Sequence, residues 1–335
     1  MKKIIPIFIA IGILLGFTIK NSQWEFLGRA FYYIINKYVE KLDPQKVAEN
    51  GIRGMVKKSL SAYIESTIEN YKKRETKRLP GLKAFYKSDS MIITNIFSGT
   101  DAKNQGIKKG DLIVEIDGFP VRLATPQEAL WRLYGEEGST VTLRVLRKMK
   151  ILDFKVKRDF PYKDFSIEGK RIEIYRLFRK TVDAIKSEAN SRPRIILDLR
   201  NFIDGDWKAS IALASFFTKE KTAVTIKNGE EKKDLYFMGS YPGKAVVVTD
   251  GTCTGACAVL AAILKAGGVP LVSTSEISGG CGLSPIKFEE KKLLLIPTVG
   301  IYVNNKDTCK DKIFPSRKTS SKTLLKEANS ILERR

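Results

Sequence analysis

The sequence predicts an α/β protein in three successive parts. A helical N-terminal segment follows an apolar leader, a β-rich module with helices comes next, and an α/β core on a largely parallel sheet ends the chain. Three observations carry this. Between Glu25 and Tyr71 apolar residues recur at three- and four-residue spacing. Between Met91 and Lys148 short apolar strands alternate with turn signals. In the last 175 residues, helical stretches alternate with buried strands such as PRIILDLRN and KAVVVTD.

The leader reads MKKIIPIFIAIGILLGFTIKNSQ. Lys2 and Lys3 precede an uncharged run from Ile4 to Ile19, and Lys20 closes it, the charge layout of a secretory signal or a signal anchor. The run is slightly short for a span, which takes ~17–25 residues, and extension through Asn21 and Trp24 supplies the rest. No small-x-small cleavage site follows. Either form puts the body in a periplasmic or other extracytoplasmic compartment, anchored or secreted, with Lys2 and Lys3 left on the cytoplasmic side. The expected organisation is residues 1–22 as signal or anchor, 23–75 as the helical segment, 76–160 as the β-rich module and 161–335 as the core.

In the helical segment, FLGRAFYYIINKYVEKL is one helix. Asp43-Pro44 restarts a second in DPQKVAENGIRGMVKKSLSAYIESTIENY, and KKRETKRLP is a linker. In the module, MIITNIF is a strand, and GIKKGDLIVEIDGFPV is a turn, a strand and a tight Asp117-Gly118 hairpin. TPQEALWRLYG is a helix entered from Thr125 with Pro126 in its first turn, and GSTVTLRVLRK is an alternating strand. In the core, RIEIYRLFRKTVDAIKSEA and DWKASIALASFF are helices. PRIILDLRN, KAVVVTD and VPLVSTS are strands, and VVVTDGTCTGACAVLAAILKAGG is a buried strand, a glycine-containing turn and a small-residue helix. Such a turn commonly presents a nucleophile at the top of a sheet, yet its critical residue is Gly255, which has no side chain.

Composition narrows the chemistry. The 335-residue chain has a formal net charge of +22 and no histidine. A His-containing triad, a Cys-His pair and an imidazole metal ligand are therefore excluded, and any general base must be Lys, Asp or Glu. The charge is spread along the chain. It reads either as a lysine-rich coding bias or as attraction to an anionic membrane face or an acidic polymer. No nucleic-acid-binding motif accompanies it, so nucleic acid is not an expected partner. The cysteines are Cys253, Cys257, Cys281 and Cys309. In an exported chain they are disulfide candidates, with three pairings open, or else small core residues. Cys-x-x-x-Cys is not a usual zinc spacing, and neither metal nor cofactor is expected.

SGTDAKNQGIKKGDLIVEIDGFPV and the helix–strand pair after it resemble a PDZ domain over about residues 78–158. The resemblance implies capture of extended peptide C-termini by strand addition beside a carboxylate-binding loop. The matching loop is Gly81-Leu82-Lys83-Ala84, where Lys83 stands at a usual glycine position and could itself help hold a carboxylate.

The order of RGMVKKSL, the PDZ-like module, IILDLRN, the VVVTDGT segment and KIFPS resembles the carboxyl-terminal processing peptidases over nearly the whole mature chain. That family implies serine endopeptidases with a Ser/Lys dyad, to which a PDZ domain delivers protein C-termini. Its nucleophile motif, Ser-Ala-Ser-Ala-Ser-Glu, falls on Cys253 to Ala258 and places the nucleophile at Gly255. Its lysine, 25 residues on, falls on Gly280, and its following glutamine on Ser284. The glycine pair that shapes the oxyanion site becomes Asp204-Gly205, where a carboxylate opposes a developing oxyanion. The resemblance with glycine at both dyad positions implies a degenerate member. The weak substitutes are Cys253, Cys257 and Ser278. Ser278, Ser275 and Ser284 sit where the family's lysine should be, and the only nearby lysine in the first segment is Lys265. The family geometry brings the 253–257 turn near residue 280 and makes Cys257–Cys281 a plausible pair.

Overall fold

The computed structural model describes residues 21–37, 43–56, 62–161 and 163–334. The chain divides into two compact units, Met1–Met55 and Val56–Arg335. The first holds the helix Asn21–Lys37 and nearly all of the helix Pro44–Val56. The apolar run from Ile4 to Ile19 lies outside the described residues. Among the described residues no helix is long and apolar enough to cross a membrane.

The second unit begins with a departure from the sequence reading. Ala62–Glu65 is a strand, not the continuation of a helix. It pairs antiparallel with the long strand Lys292–Val303, Ala62 opposite Leu295 and Glu65 opposite Lys292. Ala62, Tyr63 and Ile64 are all buried there. Pairing with a strand more than two hundred residues away outweighs the local helical spacing, which carries no information about that partner. The supposed linker is also structured: Ile68–Lys72 is a helix capped by Thr67, and Lys73–Thr76 is a turn of 3₁₀ helix.

The β-rich module is a sheet in the order Leu79–Pro80, Lys150–Phe160, Thr140–Arg147, Leu112–Ile116, Ser90–Ile96, Leu82–Lys87. The alternating VTLRV register explains the central strand, since Val141, Leu143 and Val145 point into the core while Thr140, Thr142 and Arg144 are exposed. The helix Pro126–Leu133 starts where the sequence places it. Thr125 Oγ1 accepts the Glu128 N–H at 3.2 Å, and Pro126 occupies the first turn, where its missing N–H costs nothing. Leu82–Lys87 is the sheet's edge strand.

Among the described residues the core has two six-stranded sheets and a short parallel pair, Arg176–Leu177 with Asp204–Gly205. The first runs Arg317–Lys318, Leu271–Ser273, Lys244–Thr249, Arg194–Asp198, Arg171–Ile174, Phe165–Glu168, parallel except for the last pair. Its central strands are apolar almost without interruption because both faces are covered. Ile195, Leu197 and Val247 face the helices Arg179–Asn190, Trp207–Phe217 and Ala256–Ala266, while Ile196, Val246 and Val248 face Leu324, Ala328 and Leu332 of the C-terminal helix. Arg171–Ile174, read as the start of a helix, is a strand of this sheet, and its helix begins at Arg179. The second sheet is antiparallel and joins Ala62–Glu65, Lys292–Val303, Thr222–Asn228 and Glu231–Phe237.

Candidate functional site at the 250–255 turn

The strand Lys244–Thr249 leaves the parallel sheet, turns through 250–255 and enters the helix Ala256–Ala266. Gly255 occupies the turn's last position with φ +58° and ψ −130°, a conformation that strains any residue with a side chain. Its N–H donates to the Gly279 carbonyl at 3.0 Å, tying the turn to the 279–281 segment. A Cβ at Gly255 would meet no atom within 4 Å. Gly255 lines a cavity of about 1180 Å³, together with Asp204, Gly205, Thr254, Cys281 and Ser284. Position 255 therefore has open space for a side chain, on a backbone that glycine adopts with the least strain.

Gly280 is different. A Cβ there would stand 3.0 Å from the Val259 amide nitrogen and 3.2 Å from Thr308 Cβ. The Gly280 N–H donates to the Thr308 carbonyl at 2.8 Å, and its carbonyl accepts the Thr308 hydroxyl. Thr308 fills the place beside this backbone, and a lysine has no unhindered way out.

The cysteines pair as Cys253–Cys257 and Cys281–Cys309, with Cα–Cα distances of 5.3 and 4.7 Å. The plausible Cys257–Cys281 pair does not form. Cys253 and Cys257 bracket the elbow closely enough to close on each other, and Cys281 lies against the 308–309 turn that also hydrogen-bonds Gly280. With both sulfurs in a bond, neither Cys253 nor Cys257 supplies a thiolate. Ser278 is exposed, two residues from Gly280. Ser275 donates its N–H to Ser273 Oγ at 3.3 Å. Ser284 lines the cavity, where its hydroxyl accepts from Thr298 at 2.6 Å. Lys265 belongs to the last turn of the Ala256–Ala266 helix, about 15 Å along the axis from Gly255 at the helical rise per residue.

Asp204 does not stand as a bare carboxylate against the cavity. Its Oδ2 accepts from Arg74 Nε at 3.1 Å and from the Tyr134 hydroxyl at 2.8 Å, and its Oδ1 accepts the Gly205 N–H at 2.8 Å. Burial first, and then Asp204, push the Tyr134 hydroxyl well above the usual tyrosine range. Burial likewise pushes Tyr71, whose ring lies under the Arg74 guanidinium, up to about 12. Arg74 from the 3₁₀ turn and Tyr134 from the β-rich module thus meet at one core carboxylate. A Cβ on Gly205 would press 2.8 Å from the Phe202 ring and 2.9 Å from the Leu177 carbonyl, so glycine is what allows the close approach.

The 81–84 loop is built into the interior. A Cβ on Gly81 would lie 2.1 Å from Thr100 Cβ, and the Gly81 carbonyl accepts the Phe97 N–H at 3.0 Å. Leu82 packs in the module's core, with Ala84 partly buried against it. Lys83 is 4% exposed. Its ammonium crosses to the core, donating to the Arg200 carbonyl and to Thr252 Oγ1 at 2.7 Å. The expectation that Lys83 offers its charge to a peptide carboxylate is corrected: the charge is committed inside the molecule. Burial lowers its pKa, while Asp250, Asp198 and Glu173 oppose that shift. Nearby, Asn95 Nδ2 donates to Asn201 Oδ1 at 3.0 Å, adding a second contact to the 200–201 segment.

Sequence reasoning missed Arg74, Tyr134 and Thr252. Arg74 lay in a stretch rich in lysine and arginine, and nothing local distinguished it from its neighbours.

The chain matches the PDZ domain family over residues 64–157 and Peptidase family S41 over residues 162–315. It is 26% identical over 284 residues to the carboxy-terminal processing protease CtpA of Bacillus subtilis (strain 168), covering 78% of this chain and 61% of that protein. A probable CtpA-like serine protease of Staphylococcus aureus (strain N315) is 28% identical over 222 residues, 61% of this chain and 45% of the relative. The chain thus spans less than two thirds of the length of either relative. The solved photosystem II D1 C-terminal processing protease shares the fold, with a TM-score of 0.63 over 90% of this chain and 89% of that one at 14% identity. The protein therefore carries a PDZ domain followed by a Peptidase family S41 domain, and it is a homologue of the CtpA carboxy-terminal processing proteases.

Proposed function

We propose that this chain is a non-hydrolysing member of its family that binds the C-termini of peptides through its PDZ domain. It acts in an extracytoplasmic compartment, attached through residues 1–22 or released after their removal, with 23–75 as a helical spacer, 76–160 as the PDZ domain and 161–335 as the peptidase-like core. It needs neither metal nor cofactor. The observation that carries this reading is Gly255: the elbow, the open space and the cavity are kept, and the reacting atom is missing. The crowding at Gly280 and the disulfides at the cysteines support it, because a neutral hydroxyl is inert without a base and a disulfide sulfur is no nucleophile. For peptide capture, the support is the free edge of Leu82–Lys87, whose backbone can accept an added strand.

The test has two arms. The full chain is incubated with unfolded proteins and the products are followed by mass spectrometry, with no cleavage expected. Calorimetry then compares a peptide ending in an apolar residue with its C-terminal amide. The acid should bind at micromolar strength or weaker, given the small area of a strand addition, and the amide less well. Equal affinities, or none, would overturn the binding half of the proposal.

One observation favours a second reading, an active peptidase with a different nucleophile. Lys83 and Thr252 are a lysine–hydroxyl pair at 2.7 Å, and burial lowers the lysine's pKa. The hydrogen-bond direction argues against it. Thr252 donates its proton to Asp250 Oδ1 at 2.5 Å and accepts from Lys83, so the lysine acts as a donor where a base must accept. Turnover that disappears in Thr252→Ala would favour this second reading.

A further inference from the structure

Among the described residues four hairpins turn through two successive residues with positive φ: Ser88-Asp89, Asp117-Gly118, Asn304-Asn305 and Lys148-Met149. The first three are made of glycine or of residues that tolerate the left-handed region through short polar side chains. The fourth is not. Lys148 and Met149, at φ +46° and +65°, hold a strained turn with long side chains that gain nothing from it locally. The folded chain tolerates a poor turn here, and the side chains are what the turn displays. Met149 is 90% exposed and Ile151 56%. Lys148 and Lys150 flank Met149, both exposed.

The surroundings are basic as well. Arg147 fastens the tip to the neighbouring 106–111 turn. Its Nη2 donates to the Gly106 carbonyl at 2.9 Å, and its Nε and Nη2 donate to the two oxygens of Asp111 at 2.7 and 2.6 Å. This pairs the Asp111 carboxylate, whose turn also carries the exposed Lys108 and Lys109. Two exposed apolar side chains, Met149 and Ile151, thus stand on a hairpin tip with exposed lysines on either side of Met149.

We infer that the 147–151 hairpin tip, with Lys108 and Lys109, is a docking surface for an anionic lipid bilayer, the lysines meeting headgroup phosphates and Met149 and Ile151 entering the headgroup boundary. The chemistry of the occupant follows from the combination. Phosphate-rich surfaces attract clustered lysines additively, and an apolar tip of two side chains gains from the acyl boundary but buries too little against a folded partner. This contact is separate from both the Gly255 cavity and the PDZ edge strand.

The experiment uses the full chain reconstituted with vesicles of phosphatidylcholine alone or phosphatidylcholine mixed with phosphatidylglycerol. Amide hydrogen exchange is read at residues 147–151. Comparing two vesicle types on the same full chain separates the tip from any attachment through the N-terminal segment. Exchange at the tip should slow several-fold with phosphatidylglycerol, remain fast with phosphatidylcholine, and speed up again as salt is added. Lys148→Glu/Lys150→Glu, a change at exposed positions, should abolish the slowing, and Met149→Ser should weaken it. Equal exchange in both vesicle types would overturn the inference, as would protection that survives in the double variant. Equal protection by soluble polyaspartate would reassign the surface to acidic polypeptides and overturn the lipid assignment.

Discussion

Lys83→Met discriminates between two roles for the same residue, a carboxylate-binding cation in the peptide loop or an internal tie between the PDZ domain and the core. The substitution keeps length and removes charge. In the structure it deletes two donated hydrogen bonds, to the Arg200 carbonyl and to Thr252, and takes a cation away from Asp250, Asp198 and Glu173. Breaking such a buried ionic cluster costs about 3–5 kcal/mol, and burying the methionine tip in its place returns about 1–2 kcal/mol. The net loss is about 1–4 kcal/mol, or a Tm lower by about 2–16 °C at the scaling of about 2–4 °C per kcal/mol for large domains. A pH series adds a signed check. Burial lowers the Lys83 pKa in the folded state below its unfolded value. Between those two values the unfolded chain binds the extra proton, so wild-type stability rises with pH through that window. The variant lacks this contribution, and its deficit should widen as pH climbs toward the ordinary lysine pKa. If the PDZ domain captures peptide C-termini as proposed, the variant should still prefer a peptide acid to its amide in calorimetry, since the Lys83 ammonium is committed to Arg200 and Thr252. An unchanged Tm together with loss of acid selectivity would refute the internal role.

Gly255→Ser should fold with a penalty of about 1–2 kcal/mol for a side chain at positive φ and, on the proposed non-hydrolysing reading, should not cleave unfolded proteins; measurable turnover would show that a base is already in place. Gly280→Lys should cost about 1–3 kcal/mol or more by overpacking against Val259 and Thr308, read as a lower urea midpoint. Asp204→Asn should cost about 3–5 kcal/mol by leaving Arg74 with no carboxylate partner in a largely buried site; a variant as stable as wild type would mean that the Arg74–Asp204–Tyr134 junction is incidental. Replacing Cys281 and Cys309 by serine, which opens a link of sequence separation 28, should cost about 4 kcal/mol, whereas opening Cys253–Cys257, of separation 4, should cost about 2 kcal/mol. Reversal of that order in thermal unfolding would argue against loop entropy as the main contribution.

The parts of the fold legible in the sequence are those whose cause is local. Thr125-Pro126 fixes a helix start by its own capping chemistry, and the runs IILDL and AVVV announce strands covered on both faces. What was misread depends on distant partners. Ala62–Glu65 has helical spacing and becomes a strand because Leu293 and Leu295 bury it. Arg171–Ile174 joins a sheet whose other members come later in the chain. At the candidate site, glycine at 255 and 280 could be read from the sequence, but the contrast between them could not, because it lies in distances to Val259 and Thr308. Lys83 was misassigned for a related reason. Its loop position suggested the ligand, and only the fold places Arg200 and Thr252 within its reach.

That contrast also bears on how the two positions came to differ in what they tolerate. The 250–255 elbow serves packing: the strand Lys244–Thr249 passes through it into a helix whose Cys257, Val259, Leu260 and Ile263 lie in the main core. Glycine satisfies that backbone with the least strain. The 279–281 segment has no such freedom. Its amide and carbonyl are taken by Thr308, and the neighbouring Cys281 is bonded to Cys309. A serine returned to position 255 would find open space, while a lysine returned to position 280 would have to displace a hydrogen-bonded, cross-linked turn. Restoring a Ser/Lys pair therefore demands repacking of the 308–309 turn as well as two substitutions. On the proposed non-hydrolysing reading, Gly255→Ser alone should therefore give no turnover, and Gly255→Ser with Gly280→Lys should lose stability before it gains any.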